Sequence, residues 1–518
     1  MNIARLLEHQ RDERPEAPAL IAGRGAQRRV LSFRALHKQA AQTAALFRAH
    51  GLSPGDTVLL LQPMSIPLYV AVIGLLRGGL VAMVPDASAN RARLVDHCRR
   101  HPPAALLGPP KAHLIRLLSA DVRRIPTAFV TGRWPVPGAV RWERERDRHP
   151  PADSLPLDDD APALLTFTSG STGTPKPLVR THGHLHAQYT ALCDGLSLRP
   201  GQVDLATLPI FVLANLARGV TTVLPDADLR QPAAVDTGPL LEHIRTEQPT
   251  RTGGSPALYE RLLDADADAL SGFRRIGTGG APLFPDMLQR LDHAAPAADV
   301  LAVYGATEAE PIAHVSTDAI ADADWNAMRN GAGLLAGPPV EAIDLRILPD
   351  RWGTPHGPFS KAAFDAQCCA PGTPGEIVVR GPHVVAGADD DAVIDVAGTR
   401  WHRTGDAGRL DADGRLWLLG RCHARVDDDR GTTYPFAVEC AAQSLDSVAR
   451  AAYVAHRGDR VLAVEPADGA PAPSRDVLQA HVSAPVDARV VLPTIPVDRR
   501  HNAKIDYPAL HEHLDRRR

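Results

Sequence analysis

An α/β fold is predicted by three features of this sequence. Apolar runs of strand length alternate with amphipathic stretches of helix length, some of those runs end on loops rich in glycine, and 518 residues exceed what one simple core holds. Two or more domains follow. A composition of 44% hydrophobic and 23% charged residues describes an ordinary globular chain. With a net charge of -3, the whole offers no basic field of the kind that nucleic acid or an anionic lipid surface rewards. A small, roughly neutral partner is the expectation, with no nucleic acid.

The elements follow in order. The opening MNIARLLEHQRDERPEAP mixes charge into its apolar positions and lacks the hydrophobic run of a signal peptide, so export is not expected. SFRALHKQAAQTAALFRAHG reads as a helix with Ser32 as N-cap, Leu36, Ala40, Ala44 and Phe47 on one face, and Gly51 at its end. TVLLLQP reads as a buried strand. YVAVIGLLRGGLVAMV, from Tyr69, is interrupted by Arg77 and Gly78-Gly79 and reads as a buried helix and a strand, with no membrane span. A further helix is expected after Ala89. Cys98, Cys193, Cys368, Cys369, Cys422 and Cys440 show no C-x-x-C spacing, which argues against a disulfide framework or a zinc ribbon and suits a reducing cytoplasm.

In parallel sheets, ligands gather where loops leave the carboxyl ends of strands. APALLTF is such a strand, and Thr168, Ser169, Gly170, Ser171, Thr172, Gly173 and Lys176 lie in the loop that leaves it. Glycines let backbone N–H groups approach oxygen atoms, hydroxyls add donors, and the lysine brings charge, so a polyphosphate is the natural guest. The spacing G-S-T-G-T-P-K is neither that of a P-loop nor that of a dinucleotide fold. By composition alone the stretch also suits a surface loop.

Four later stretches add chemistry. RRIGTGGAPLFP sets Gly279, Gly280 and Ala281 at a strand end, where bare backbone lets a flat ring lie close. AVYGATEAEPIA supplies Tyr304 as a stacking face beside Gly305, Thr307 as a hydroxyl donor, and Glu308 as a hard oxygen ligand for magnesium. WHRTGDAGRLDADGRLWLLGR places Asp406 after a glycine turn, able to accept two hydrogen bonds from a ribose diol. PVDRRHNAKIDYPAL carries Lys504 near the end of the chain.

Together and in this order, TSGSTGTPK, YGATEAEP, TGD and NAKI resemble the motifs of the acyl-adenylate-forming superfamily, which includes acyl-CoA synthetases and the adenylation domains of peptide synthetases. The resemblance spans nearly the whole chain. It implies an N-terminal AMP-binding domain at 1–420 with parallel-rich sheets and helices. It also implies a hinge at 421–427, in GRCHARVDDDRG, and a small α+β lid at 428–518 that carries Lys504. The implied reaction has two steps: a carboxylate attacks the α-phosphate of ATP, releasing pyrophosphate, and a nucleophile, usually a thiol of coenzyme A or of carrier-protein phosphopantetheine, displaces AMP. Within it, Lys504 would bridge the substrate carboxylate and the α-phosphate, Thr307 would contact that phosphate, and Glu308 would hold Mg²⁺ with Thr168 beside it. The loop from Thr168 to Lys176 would hold the β- and γ-phosphates, and Gly279, Gly280, Ala281, Tyr304, Gly305, Asp406 and Arg421 the nucleoside.

PVDRRHNAKI and the LPI…GVTTVLPDADLRQPA stretch are further similar to olefin β-lactone synthetases and to the long-chain acyl-CoA ligase-like enzymes near them. The function expected first is a ligase passing a fatty or other hydrophobic acid to coenzyme A or an acyl carrier protein; the alternatives are a β-lactone synthetase that closes a β-hydroxy acyl adenylate on its own hydroxyl and a nucleotide-binding homologue without catalysis.

Some positions depart from the pattern or invite other readings. Pro177 stands where the superfamily usually has glycine, removing a backbone donor. Ala424 replaces a polar hinge residue, which leaves Arg425 as an alternative pivot. Phe211 suits either an apolar acyl pocket or core packing. His182, His184 and His186 suggest zinc, but His184 would point away from its neighbours on a helix, so His182 opening a helix is the better reading. His97 and His101, one turn apart, read as a solvated helix face.

Overall fold

Leucine-, valine- and alanine-rich runs at Thr57–Leu60, Val81–Met83, Ala105–Gly108 and Thr127–Val130 are buried and pair in parallel. Pro162–Thr168 joins them beside Val81–Met83, and Lys176–Thr181 returns antiparallel along its free side to form the sheet's edge. The computed structural model describes residues 1–85, 90–168, 176–385, 392–498 and 504–516. It separates into two compact units, Met1–Arg230 with Asp236–Gly253, and Gln231–Val235 with Gly254–Arg518. The expected lid at 428–518 shares the second unit with residues 254–420.

In the first unit the expected helix is Phe33–Ala49, with the Ser32 hydroxyl accepting from the Ala35 N–H and Leu36, Ala40, Ala44 and Phe47 buried. Ile66–Arg77 is buried on nearly every face. Arg77, the charge inside that apolar run, is itself buried; its terminal nitrogens reach Glu8 at 2.9 Å and the Ala152 carbonyl at 2.8 Å, while Nε has no hydrogen-bond partner among the described residues. A second sheet of this unit holds residues 251–253, Val203–Ala206, Thr221–Leu224 and Pro18–Ala22 in parallel, with Arg29–Ser32 antiparallel at its edge.

The second unit is less parallel than the sequence predicts. Arg275–Gly279 and Asp299–Ala306 pair in parallel, but Ala309–Ser316 folds back antiparallel after a two-residue turn. Leu334–Gly337, Leu416–Arg421, Thr399–Leu410, Gly375–Arg380 and Asp344–Leu348 then form an antiparallel sheet. The short link from Leu410 to Leu416 is too brief for a helical crossover and dictates an antiparallel pairing. Toward the C-terminus, Val448–His456, Asp459–Pro466 and Ala488–Val491 form a small sheet accompanied by the helices Pro435–Gln443, Arg475–His481 and Tyr507–Arg516. None of the described helices is long and apolar enough to cross a membrane.

Candidate active site

In the first unit, strand pairing sets the ends of the hydroxyl-rich loop: Thr168 is opposite Lys176, and Phe167 opposite Pro177. Lys176 is half-buried at the start of its strand. Pro177 lies in an edge strand, where a missing N–H need not break a ladder on both sides. Ser169, Gly170, Ser171, Thr172 and Gly173 lie outside the described residues, as does the side chain of Thr168.

The loop's approach carries a residue that the sequence reading misplaced. His97 is buried, not solvated, and its ring stacks on Phe167 at 3.6 Å with an interplanar angle of 3°. Burial pushes its imidazole below the usual histidine range, so the ring is neutral. Leu94, His97 and Cys98 form the inward face of Arg91–Arg100, and the stack lets a neutral histidine fill an apolar place. His182 does open the helix His182–Gly195, capped by the Thr181 hydroxyl, and its Nδ1 accepts from the Ile3 N–H at 3.2 Å. Phe211 packs against Leu192, Cys193 and Val220 as part of a hydrophobic cluster.

The second unit gathers the nucleoside residues. Arg275–Gly279 ends where expected, and Gly280 has φ +83°. Gly279 is required by its neighbour: a Cβ there would lie 2.5 Å from the Val303 carbonyl oxygen. Ala281 follows directly. Tyr304 and Gly305 end the next strand, and Thr307 and Glu308 form the two-residue turn between Ala306 and Ala309. That turn holds Glu308 half-buried at the end of the hairpin, and its carbonyl accepts from the Val385 N–H at 2.8 Å.

Asp406 lies within the strand Thr399–Leu410 rather than after a free turn. Between the pairs Val378↔Arg403 and Glu376↔Ala407 this strand carries two residues more than its partner, and Gly405 at φ +69° bends the chain there. The Thr404 hydroxyl accepts from the Asp406 N–H at 3.0 Å and donates to the Ile377 carbonyl at 2.9 Å, fixing the bulge. One Asp406 oxygen accepts from the Tyr304 hydroxyl at 2.9 Å, and the other pairs with Arg421 Nη1 at 3.1 Å. Burial and the Asp406 charge push the Tyr304 phenol far up, so it remains a donor. The same carboxylate raises the Arg421 guanidinium.

His402, four residues before Asp406, escaped the sequence reading. It is buried, which lowers its pKa, while Glu308 and Asp406 both oppose the shift by their charge. Its neutral ring therefore stands within the field of two site carboxylates. The signal was the H-x-x-x-D of WHRTGD.

Lys504 is held by backbone pairing with Asp498. The Asp498 N–H donates to the Lys504 carbonyl at 2.8 Å, the Lys504 N–H donates to an Asp498 carboxylate oxygen at 3.0 Å, and Val497 bridges Ile505. Ile505 and Tyr507 pack on the core of the small sheet. The Tyr507 ring lies edge-on to His423 at 5.9 Å, and its hydroxyl feels Arg421. Tyr507, three residues after Lys504, thus lies in the field of Arg421, the ion-pair partner of Asp406. Next to Arg421, the single turn Cys422–Ala424 leads to Arg425, which pairs with buried Asp350 at 2.8 Å; the Tyr434 hydroxyl donates to the same carboxylate at 3.1 Å.

A tyrosine and an arginine sharing one carboxylate, with a second carboxylate on a nearby turn, form a polar site suited to a ribose and a phosphate-bound cation. Among the described residues no group of three or more His, Cys, Asp or Glu side chains could hold a metal alone. A single carboxylate such as Glu308 does fit Mg²⁺, which keeps waters and shares phosphate oxygens of its substrate.

Residues 7–387 match the model of the AMP-binding enzyme family. The chain belongs to that family. It is an adenylate-forming enzyme of the ligase and synthetase type, and ATP is its nucleotide. It is similar to the olefin beta-lactone synthetase of Stenotrophomonas maltophilia, 33% identical over 97% of this chain and 96% of that protein. It is also similar to a feruloyl-CoA synthase of Amycolatopsis sp, 28% identical over 79% of this chain and 77% of that one. In fold it matches an anthranilate CoA ligase in complex with anthranoyl-AMP, with TM-score 0.82, 18% identity and coverage of 99% and 97%. An ATP-bound MatB from Rhodopseudomonas palustris gives TM-score 0.80, 20% identity and 99% coverage of each chain.

Proposed function

We propose that this enzyme adenylates an apolar β-hydroxy acid and closes the acyl adenylate to a β-lactone. The observation that carries the choice of second step is the similarity, over 97% of the chain, to two olefin beta-lactone synthetases, at 33% and 32% identity. In the first step a carboxylate oxygen bonds the α-phosphorus and the bond to pyrophosphate breaks. In the second, the substrate's own hydroxyl oxygen bonds the acyl carbon, the bond to AMP breaks, and the hydroxyl proton passes to solvent.

Two anions meet in the first step, so positive charge must be placed between them. Lys504 is assigned that role, Thr307 the α-phosphate contact, and Thr168, Ser169, Gly170, Ser171, Thr172, Gly173 and Lys176 the leaving pyrophosphate. Asp406, Arg421 and Tyr304 hold the ribose, and Gly279, Gly280, Ala281 and Gly305 line the base. Glu308, with Thr168, would hold Mg²⁺, which supplies charge neutralisation on the phosphates. The lid at 428–518 turns about 421–427, with Arg425 rather than Ala424 as the anchored residue. Transfer to coenzyme A or carrier-protein phosphopantetheine is the second reading, supported by the feruloyl-CoA synthase similarity.

Pyrophosphate exchange and product mass spectrometry across acids of graded length, with and without a β-hydroxyl and with and without coenzyme A, test both readings. A β-lactone formed without thiol is the expected result; product that appears only with a thiol overturns it. Lys504→Ala is expected to lose adenylation about 10²- to 10³-fold while still converting supplied acyl-AMP; equal loss of both steps removes Lys504 from its assigned role.

A further inference from the structure

Four large apolar side chains stand in solvent within one short stretch of the first unit. Leu114, Leu117, Leu118 and Trp134 are 58%, 71%, 64% and 76% exposed. The leucines occupy i, i+3 and i+4 of the helix Leu114–Leu118 and share its outer face, while Ile115 packs inward against the sheet's cluster. That helix follows the carboxyl end of Ala105–Gly108, and the Trp134 loop follows the carboxyl end of Thr127–Val130. These strands are parallel neighbours with Gly108 opposite Val130, so helix and loop leave one edge of the sheet side by side. Arg116 Nη2 donates to the Gly138 carbonyl at 3.5 Å and ties them together.

Cations rim this face. Lys111, Arg116, Arg123, Arg124 and Arg133 stand against Asp121 as the one carboxylate of residues 111–133. Arg99 from a neighbouring helix pairs with Asp121 at 3.0 Å, so the stretch is locally basic in a chain whose net charge is -3. The whole-chain charge concealed it. Asp121 answers Arg99 and, at 3.8 Å, Arg124, and the Glu143 carboxylate accepts from the Gly132 N–H beside Arg133, so the rim is partly compensated but keeps an excess of cations. Single exposed apolar residues need no explanation, but three leucines on one face, a tryptophan beside them and a rim with more cations than carboxylates form a patterned surface.

We propose that this face docks the enzyme reversibly on an anionic lipid surface. Leucine and tryptophan side chains enter the boundary between headgroups and acyl chains, while lysine and arginine stems lie along it and their charges meet phosphates. Nucleic acid would use the cations but gain nothing from the leucines. A second copy of the chain would bring the same cations face to face, which repels.

Co-sedimentation with phosphatidylcholine vesicles, with and without phosphatidylglycerol, tests this on the full chain. Binding is expected only to the anionic vesicles and is expected to weaken as salt rises. Arg124→Ser and Arg133→Ser should each weaken it about fivefold, and Leu117→Ser with Leu118→Ser about tenfold or more, with pyrophosphate exchange in solution unchanged. Equal binding to neutral vesicles, no binding at all, or undiminished binding by the variants overturns the proposal. An oligomer of the wild type that the leucine variant loses, with no vesicle binding, would assign the face to a second copy instead.

Discussion

Arg403 and Asp406 stand three residues apart on one strand, and each belongs to an ion pair, but the pairs differ in what they can release. Arg403 pairs with Glu376 through two contacts of 2.9 and 2.7 Å from Nε and Nη2, Nη2 also donates to the Arg351 carbonyl and Nη1 to the Thr354 carbonyl, and both side chains are at most 1% exposed. Asp406 and Arg421 are 18% and 38% exposed, and Asp406 divides its oxygens between an arginine and a tyrosine. The first arrangement closes a sheet. The second can trade a protein donor for a ribose hydroxyl at small cost, because water already reaches its members.

The sharpest way to break this contrast is Arg403→Leu, which would strand Glu376 as a buried charge. A loss of about 3–5 kcal/mol in unfolding free energy is expected by denaturant titration. Asp406→Ala should instead leave the unfolding midpoint nearly unchanged and raise the KM for ATP about 10- to 100-fold, measured by pyrophosphate exchange. If both variants unfold alike, the distinction between the two pairs fails.

Glu439 sharpens the comparison from a third side, since it is buried, accepts from the Tyr453 N–H at 3.0 Å, and is pushed up to about 8 by burial. The unfolded chain loses that proton near the ordinary carboxylate value of about 4.3. Between these values the native state holds a proton that the unfolded state lacks, so stability falls as pH rises, by up to about 1.4 kcal/mol per pH unit. Glu439→Gln should flatten the dependence of Tm on pH over that window. An unchanged slope would mean that another group sets it.

Much of this was legible in the sequence, because its signals were local. The Ser32 cap, the buried helix ending at Arg77 and the strand ends bearing Gly279 and Tyr304 are short-range patterns, and family membership follows from motifs in order. The hydrogen bond between Tyr304 and Asp406 joins residues 102 apart and depends on how antiparallel strands register, which no local pattern states. His97 was misread because its charge class outweighed its spacing: Leu94, His97 and Cys98 follow a core-facing i, i+3, i+4 pattern. The basic rim around Leu117 was hidden by summing charge over the whole chain.

The bulge at Thr404, Gly405 and Asp406 adds an even number of residues to its strand. An even insertion leaves the in-and-out alternation intact, so Arg403 before it and Ala407 after it still face Val378 and Glu376. Removing Gly405 and Asp406 would even the count against Gly375–Arg380, but it would break the pairing of Asp406 with Arg421 on the strand's other side and leave Tyr304 and Arg421 without their shared carboxylate. The carboxylate is thus built into the sheet by a two-residue excess on one side and an in-register pair on the other, so a change of chain length at Asp406 is felt by both neighbouring strands.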